Sequence, residues 1–286
     1  MSKRSMAVLA LSAALIMAST EVFAHAEIQA KIAELSEQID QNPDNAELHF
    51  ERGEVFRNHA DWGEALSDYK RVRELDPERE VLDYSFGLLF QQAGMFQRGV
   101  EPLALYLERH PKHSGALAAR GRVRHGLGQH LEAAVDFTAA LKNLPADEEP
   151  APELFVDRAR ALMAAGGKHR VDALKGLNEG LERLPRSIPL EMEALGIEEA
   201  LGNTKAALAR LQRLGDTSER PERWQVRQAE VLTRAGNFKE ARAKYQEVLK
   251  AIEATPPATR LATGLAMLAH DVNKALATLE TAAATP

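Results

Sequence analysis

The sequence predicts an all-α fold, a solenoid of stacked helix hairpins, and three observations carry that expectation. Punctuating residues return at a fixed step of 34: Gly53, Gly87 and Gly121; Tyr69, Leu103 and Phe137; Pro77, Pro111 and Pro145. A period of this size marks stacked repeats rather than a single globular core. Composition agrees, because Leu and Ala dominate, aromatics are 5% and charged residues are 27% with both signs interleaved, a helix-forming profile without β-branched bias. Finally, Ala46–Pro77 divides at Ala60-Asp61 into two amphipathic stretches with apolar residues at helical spacing.

The first residues read as a targeting segment. Lys3 and Arg4 form a basic start, Ala7–Ala18 is apolar except for Ser12, and Val22-Phe23-Ala24 puts small residues where signal peptidase reads them. The apolar run is shorter than the about 20 residues that a bilayer span needs. Residues 1–24 are therefore expected to be a cleaved secretory signal, giving a periplasmic or secreted protein with no stable membrane span. A cut after Ala26 fits as well, and an uncleaved anchor is the remaining alternative. Cleavage after Ala24 removes Lys3, Arg4 and Glu21 and takes the net charge from -6 to -7. That mild acidity argues against a general nucleic-acid binder. The absence of Cys excludes disulfides and a lipid-bearing thiol, so packing alone must hold an exported fold together.

Taken in order, Glu27–Gln41 carries Ile28, Ile32, Leu35 and Ile39 on one stripe and ends at Asn42-Pro43-Asp44-Asn45. Pro43 lies 34 before Pro77, so residues 25–45 read as half a repeat covering the first full one. Residues 46–145 hold three units, Ala46–Pro77, Glu80–Pro111 and Ser114–Pro145. Residues 146–151 form an acidic, Pro-rich linker. Residues 152–254 hold three more: Pro152–Pro185 with a longer turn at Gly166-Gly167-Lys168-His169-Arg170, Ile188 to about Leu214, and Glu222 to about Glu253. The small-residue marks step 34, 34, 38, 36 and 34, and the two longer steps match the two insertions. Thr255-Pro256-Pro257 breaks the chain. Residues 258–283 are expected to form a capping helix pair, Thr259–Ala269 and Asp271–Ala283, with Asp271 as an N-cap.

The residues Gly53, Phe56, Ala65, Tyr69, Val72 and Pro77, paralleled by Gly87, Phe90, Gly99, Leu103, Tyr106 and Pro111, resemble the tetratricopeptide repeat family over about residues 27–254. The resemblance implies a right-handed superhelical α-solenoid. Arg124 and Glu198 depart from the pattern, standing where the family has an apolar or aromatic residue. Looser packing or a one-residue slip of register is expected there.

Catalytic signatures are missing: no Cys nucleophile, glycine-rich phosphate loop, G-x-S-x-G or H-E-x-x-H occurs. Glu47, Glu51 and Glu54 read as a solvated helix face. The expectation is a non-enzyme that needs no cofactor. The family resemblance implies a concave groove, lined by the first helix of each pair, that holds a protein or peptide. Carried over by position, its lining is Phe50, Glu54 and Arg57; Tyr84, Leu88 and Gln91; Ala118, Arg122 and His125; Val156, Arg160 and Met163; and Val226, Glu230 and Thr233. Arg57, Arg122 and Arg160 spaced along an apolar centre suit an acidic partner, because guanidinium holds carboxylate bidentately. The bland alternative is that these are ordinary surface arginines. The Lys/Asn set of the family's two-carboxylate clamp is absent. A second reading is envelope copper handling through His25, which would become the N-terminus and offer amine and imidazole together. His110, His113, His125 and His130 lie close in sequence, but across turns, and no metal is assigned to them.

Overall fold

The computed structural model describes residues 26–145, 147–262 and 264–283. The proposed signal segment 1–24 and His25 lie outside them. Contacts divide the chain into two compact units, Met1–Glu148 and Glu149–Pro286. In the first unit, helix α1 (26–41) precedes three hairpins: α2 (Ala46–Asn58) with α3 (Trp62–Leu75), α4 (Val81–Gln92) with α5 (Phe96–Arg109), and α6 (Ser114–Gly126) with α7 (His130–Lys142). In the second, α8 (Pro152–Ala164) pairs with α9 (Arg170–Arg183), α10 (Ile188–Ala200) with α11 (Thr204–Asp216), and α12 (Pro221–Arg234) with α13 (Phe238–Ala254). Helices α14 (Pro257–Ala262) and α15 (Leu265–Ala283) follow.

Five hairpins share one turn. The N–H groups of Asp61, Met95, Gln129, Asn203 and Asn237 donate to the carbonyls of Phe56, Phe90, Arg124, Glu198 and Leu232 at 2.8–2.9 Å. This closure needs a left-handed residue just past the helix end, a conformation glycine adopts at no steric cost. Gly94, Gly128, Gly202 and Gly236 fill it at φ +70 to +79, whereas the first hairpin uses Ala60 at φ 63. In the fourth hairpin the two extra residues wind into a short 3-10 turn, Gly167–His169, after Gly166.

The regular hairpins close by insertion of a large side chain into a gap. A Cβ built on Gly53 would lie 2.7 Å from the Tyr69 ring, one on Gly87 2.4 Å from Leu103, and one on Gly121 2.8 Å from Phe137. Ala65, Tyr69, Leu103, Ala133 and Phe137 are almost fully buried as a result. Burying each large apolar side chain contributes about 1.5–3 kcal/mol.

Charge pairs cross the same hairpins, and they explain the two departures from the repeat pattern. In the first, Arg52 forks onto Asp68 through two 2.8 Å bonds and reaches Ser36 on α1 at 2.9 Å. In the third, Arg120 forks onto Asp136 at 3.0 and 2.7 Å, and Arg124 adds a third bond at 2.7 Å. In the fifth the signs invert: buried Arg210 on α11 forks onto Glu198 at 3.0 and 2.8 Å and also bonds Glu191 and Asn178. Burial opposes the charge on Arg210, but its bonds to Glu198 and Glu191 outweigh burial and raise its pKa. In the fourth, Gly176 stands across from Arg158, which donates to the Gly176 carbonyl at 2.9 Å instead. Neither looser packing nor a slip follows from Arg124 and Glu198. Val123 and Phe137 beside Arg124, and Leu195 and Leu211 beside Glu198, are at most 1% exposed.

The C-terminal pair breaks at a different place from the expected one. Gly264, at φ +72, separates α14 from α15, and Asp271 lies inside α15 rather than at its N-cap. Nothing in Ala269-His270-Asp271 stops a helix. Pro257 begins α14 because the first turn of a helix needs no N–H donor. Leu265, Val272 and Leu279 of α15 complete a core with Tyr245, Val248 and Ile252 of α13.

Two outcomes test these assignments by chemical denaturation. Ala60→Gly should stabilise the protein by roughly 0.5–1 kcal/mol, since relief of the left-handed penalty exceeds glycine's extra freedom when unfolded. Arg210→Met should destabilise it by about 3–5 kcal/mol by leaving Glu191 and Glu198 buried without a cation.

Candidate binding face

In the first unit α4 packs against both α5 and α6, and in the second α8 packs against both α9 and α10. The first helices α4 and α6, and likewise α8 and α10, are thus neighbours that share a face, while α2 reaches α4 through the Arg57–Gln92 bond and α12 reaches α10 through Arg234–Glu199. On the first unit's face, half-buried Phe50 sits beneath the Arg79 guanidinium, 4.2 Å from its ring centre, and 6.1 Å from the Tyr69 ring. Tyr84 stacks on Tyr106 at 5.2 Å and meets His113 edge-on at 4.9 Å. Leu88 packs on the core formed by Leu103, Ala119 and Val123. Gln91 and Arg122 are half-buried, and His125 faces His130 with their Nδ1 atoms 3.2 Å apart. Ala118 and Val156, both expected on the groove, are core residues.

The structure gives Arg57 a different role from the one expected of it. It is buried, bonding Glu54 at 2.7 Å and Gln92 at 2.9 Å, while the Tyr69 hydroxyl donates to the other Glu54 oxygen. Burial works against the Glu54 charge, but hydrogen bonds from Arg57, Tyr69 and Ser85 hold its pKa below the usual value. Burial and the bond to Glu54 push the Tyr69 phenol far above its ordinary range. This knot ties the first hairpin to the second and leaves Arg57 committed to its own chain.

In the second unit, exposed Arg160 pairs with Glu193 through an Nε bond of 2.8 Å, and Met163 is half-buried. Glu230 accepts from Arg227 at 2.7 Å. The Thr233 hydroxyl donates to the Ala229 carbonyl at 2.8 Å, and half-buried Val226 packs on the α12–α13 core. Arg234 forks onto Glu199 at 3.1 and 2.9 Å, joining α12 to α10. Beside this lattice lies a cleft of ≈ 630 Å³ lined by Met192 on α10 and by Ser218, Glu219, Arg220, Arg223, Trp224 and Arg227. Arg220 and Arg223 are exposed, and Arg223 makes no ion pair or hydrogen bond among the described residues. The positive end of α12 opens here as well. Sequence reasoning passed over this cleft because it falls in the connector after the least regular unit. The run Arg220, Arg223, Trp224 and Arg227, a basic stripe around one aromatic, was the available signal.

No protein-family model and no curated protein matches the sequence. Solved structures do. A tetratricopeptide repeat protein from Parabacteroides merdae superposes with a TM-score of 0.56 at 15% identity, over 93% of this chain and 97% of its own. PilW, a widely conserved type IV pilus biogenesis factor, gives 0.57 at 18% identity over 71% and 93%. Pseudomonas aeruginosa PilF gives 0.51 at 11% identity over 73% and 93%. At such identities the likeness is one of fold. The chain has the tetratricopeptide-repeat fold, an all-α array of paired helices, and no helix among the described residues is long and apolar enough to cross a membrane.

The aromatic cluster around Tyr84 gives the first unit a pH dependence. His113 caps α6, its Nδ1 accepting from the Ala116 N–H at 3.0 Å, which requires a neutral ring. Burial, and then repulsion from His110, lower its pKa below the ordinary 6.5. The unfolded chain therefore takes up this proton first. The stability His113 contributes is complete above pH 6.5 and declines as pH falls below it. Melting temperatures between pH 7 and pH 5 should fall more steeply for the native protein than for His113→Asn, which keeps a capping acceptor without a titrating ring.

Proposed function

We propose that the chain is an exported, non-enzymatic scaffold that binds a protein or peptide partner on the face made by its first helices. The partner presents an acidic segment with an apolar residue to the Met192–Trp224 cleft. The observation that carries this reading is the cleft itself. Trp224 and Met192 offer an apolar floor, and Arg220 and Arg223 stand exposed at its rim with Arg227 held behind by Glu199 and Glu230. Aromatic and Arg side chains are what binding hot spots are built from. Exposed Arg223 replaces Arg57 and Arg160 as the cation offered to the partner, since those two are bonded within the chain. The half-buried aromatic face around Phe50 and Tyr84 gives the first unit a separate apolar surface of its own. The signal-like residues 1–24 support export, and the shared fold of PilW, a pilus biogenesis factor, supports a cell-envelope setting.

A double variant, Arg220→Glu with Arg223→Glu, tests the cleft. Cross-linking and affinity purification from the native host identify the partner, and titration then measures its affinity. Binding should weaken at least tenfold, about 1.4 kcal/mol, with an unchanged melting curve. Full affinity in the double variant contradicts the assignment. Arg57→Glu should instead lower stability, because it opens the knot with Glu54 and Gln92.

A further inference from the structure

We propose that His125 and His130 form a two-imidazole site for a divalent transition-metal ion, with Cu(II) held most tightly. His125 lies in the last turn of α6 and His130 at the first position of α7. The turn between them reverses the chain, so a sequence spacing of five becomes a facing pair. Their Nδ1 atoms are 3.2 Å apart while the ring centres are 4.8 Å apart, so the nitrogens are the near edges of the two rings. With metal–nitrogen bonds of about 2.05 Å, two nitrogens at that separation subtend about 100° at a shared ion, between square-planar and tetrahedral angles. In the metal-free protein one ring donates its Nδ1 proton to the other, and binding replaces that proton with the ion.

The pair is preformed. Gly128 at φ +79 and the Gln129 N–H bond to the Arg124 carbonyl at 2.9 Å fix the turn. Gly126 is seated against Phe96 of the preceding hairpin, where a Cβ would lie 2.4 Å from the ring. Ligands carried on rigid elements lose little freedom on binding. The neighbouring Arg124 charge is met by Asp136 at 2.7 Å, which lessens repulsion of a dication. No group of three or more His, Cys, Asp or Glu gathers here among the described residues, so a four-coordinate ion keeps two positions for water or for a donor from a bound molecule. Imidazole-only ligation favours Cu(II) over Ni(II) and Zn(II) by the usual divalent order.

The test uses the full chain. Isothermal titration with CuCl2, NiCl2 and ZnCl2 at neutral pH compares the native protein with His125→Gln, His130→Gln and the double variant. We expect one equivalent that each single change weakens at least tenfold and that the double change abolishes. A second readout needs no variant: among the nine histidines, Zn(II) should shift the side-chain nitrogen resonances of His125 and His130. No binding by the native protein, an unchanged equivalent in the double variant, or shifts confined to other histidines would each overturn the proposal.

Discussion

A glycine on one helix receiving a large side chain from the next sets how the first three hairpins close. The gap is a positive requirement, because glycine in a helix interior is disfavoured by about 1 kcal/mol relative to alanine. Gly53, Gly87 and Gly121 each occupy such a position, and each faces the residue 16 places later: Tyr69, Leu103 and Phe137. That contact fixes the distance between the paired helices and hence their shared core. Phe50, Tyr84 and Leu88 lie beside these gaps, Phe50 against the Tyr69 ring and Leu88 on the core around Leu103.

Paired charges add register to that spacing. Arg52 with Asp68 and Arg120 with Asp136 place the cation on the first helix, while Arg210 with Glu191 and Glu198 places it on the second. A bidentate bond tolerates little sliding, and burial penalises any arrangement that leaves one partner alone. The inverted hairpin shows that sign is free so long as the two helices are complementary. In the fifth unit the gap position itself is filled by Leu195, and the Arg210 bonds to Glu191 and Glu198 join its two helices.

Much of the architecture was legible because its signals are local. Period, turn glycines and helix-stopping prolines can be read without knowing what touches what. The charge pairs were hidden for the opposite reason. Arg124 and Glu198 look like errors in an apolar stripe until Asp136 and Arg210, 12 residues away in each case, are seen across the turn. One signal was nonetheless present: Arg52-to-Asp68 and Arg120-to-Asp136 repeat the same separation two periods apart. The C-terminal break is harder to read, because Asp271 has the chemistry of a cap yet lies inside α15, while Gly264, inside an apolar run, is the residue that turns the chain. The binding face was harder still. Position alone nominated Arg57 and Arg160, and only side-chain partners reveal that both are bonded within the chain while Arg223 is not. His125 and His130 are five residues apart across a turn, a spacing that does not look like a ligand pair in sequence, and the turn is what brings them together.

The account rests on steric need at the gap, and two glycines separate that need from helix propensity. Gly196 lies in α10 with nothing within 4 Å of a built Cβ, whereas Gly121 faces Phe137. Measured by denaturant unfolding, Gly196→Ala should stabilise the protein by about 0.5–1 kcal/mol. Gly121→Ala should destabilise it by about 1–3 kcal/mol despite the same gain in propensity. Stabilisation of equal size at both positions would contradict the account.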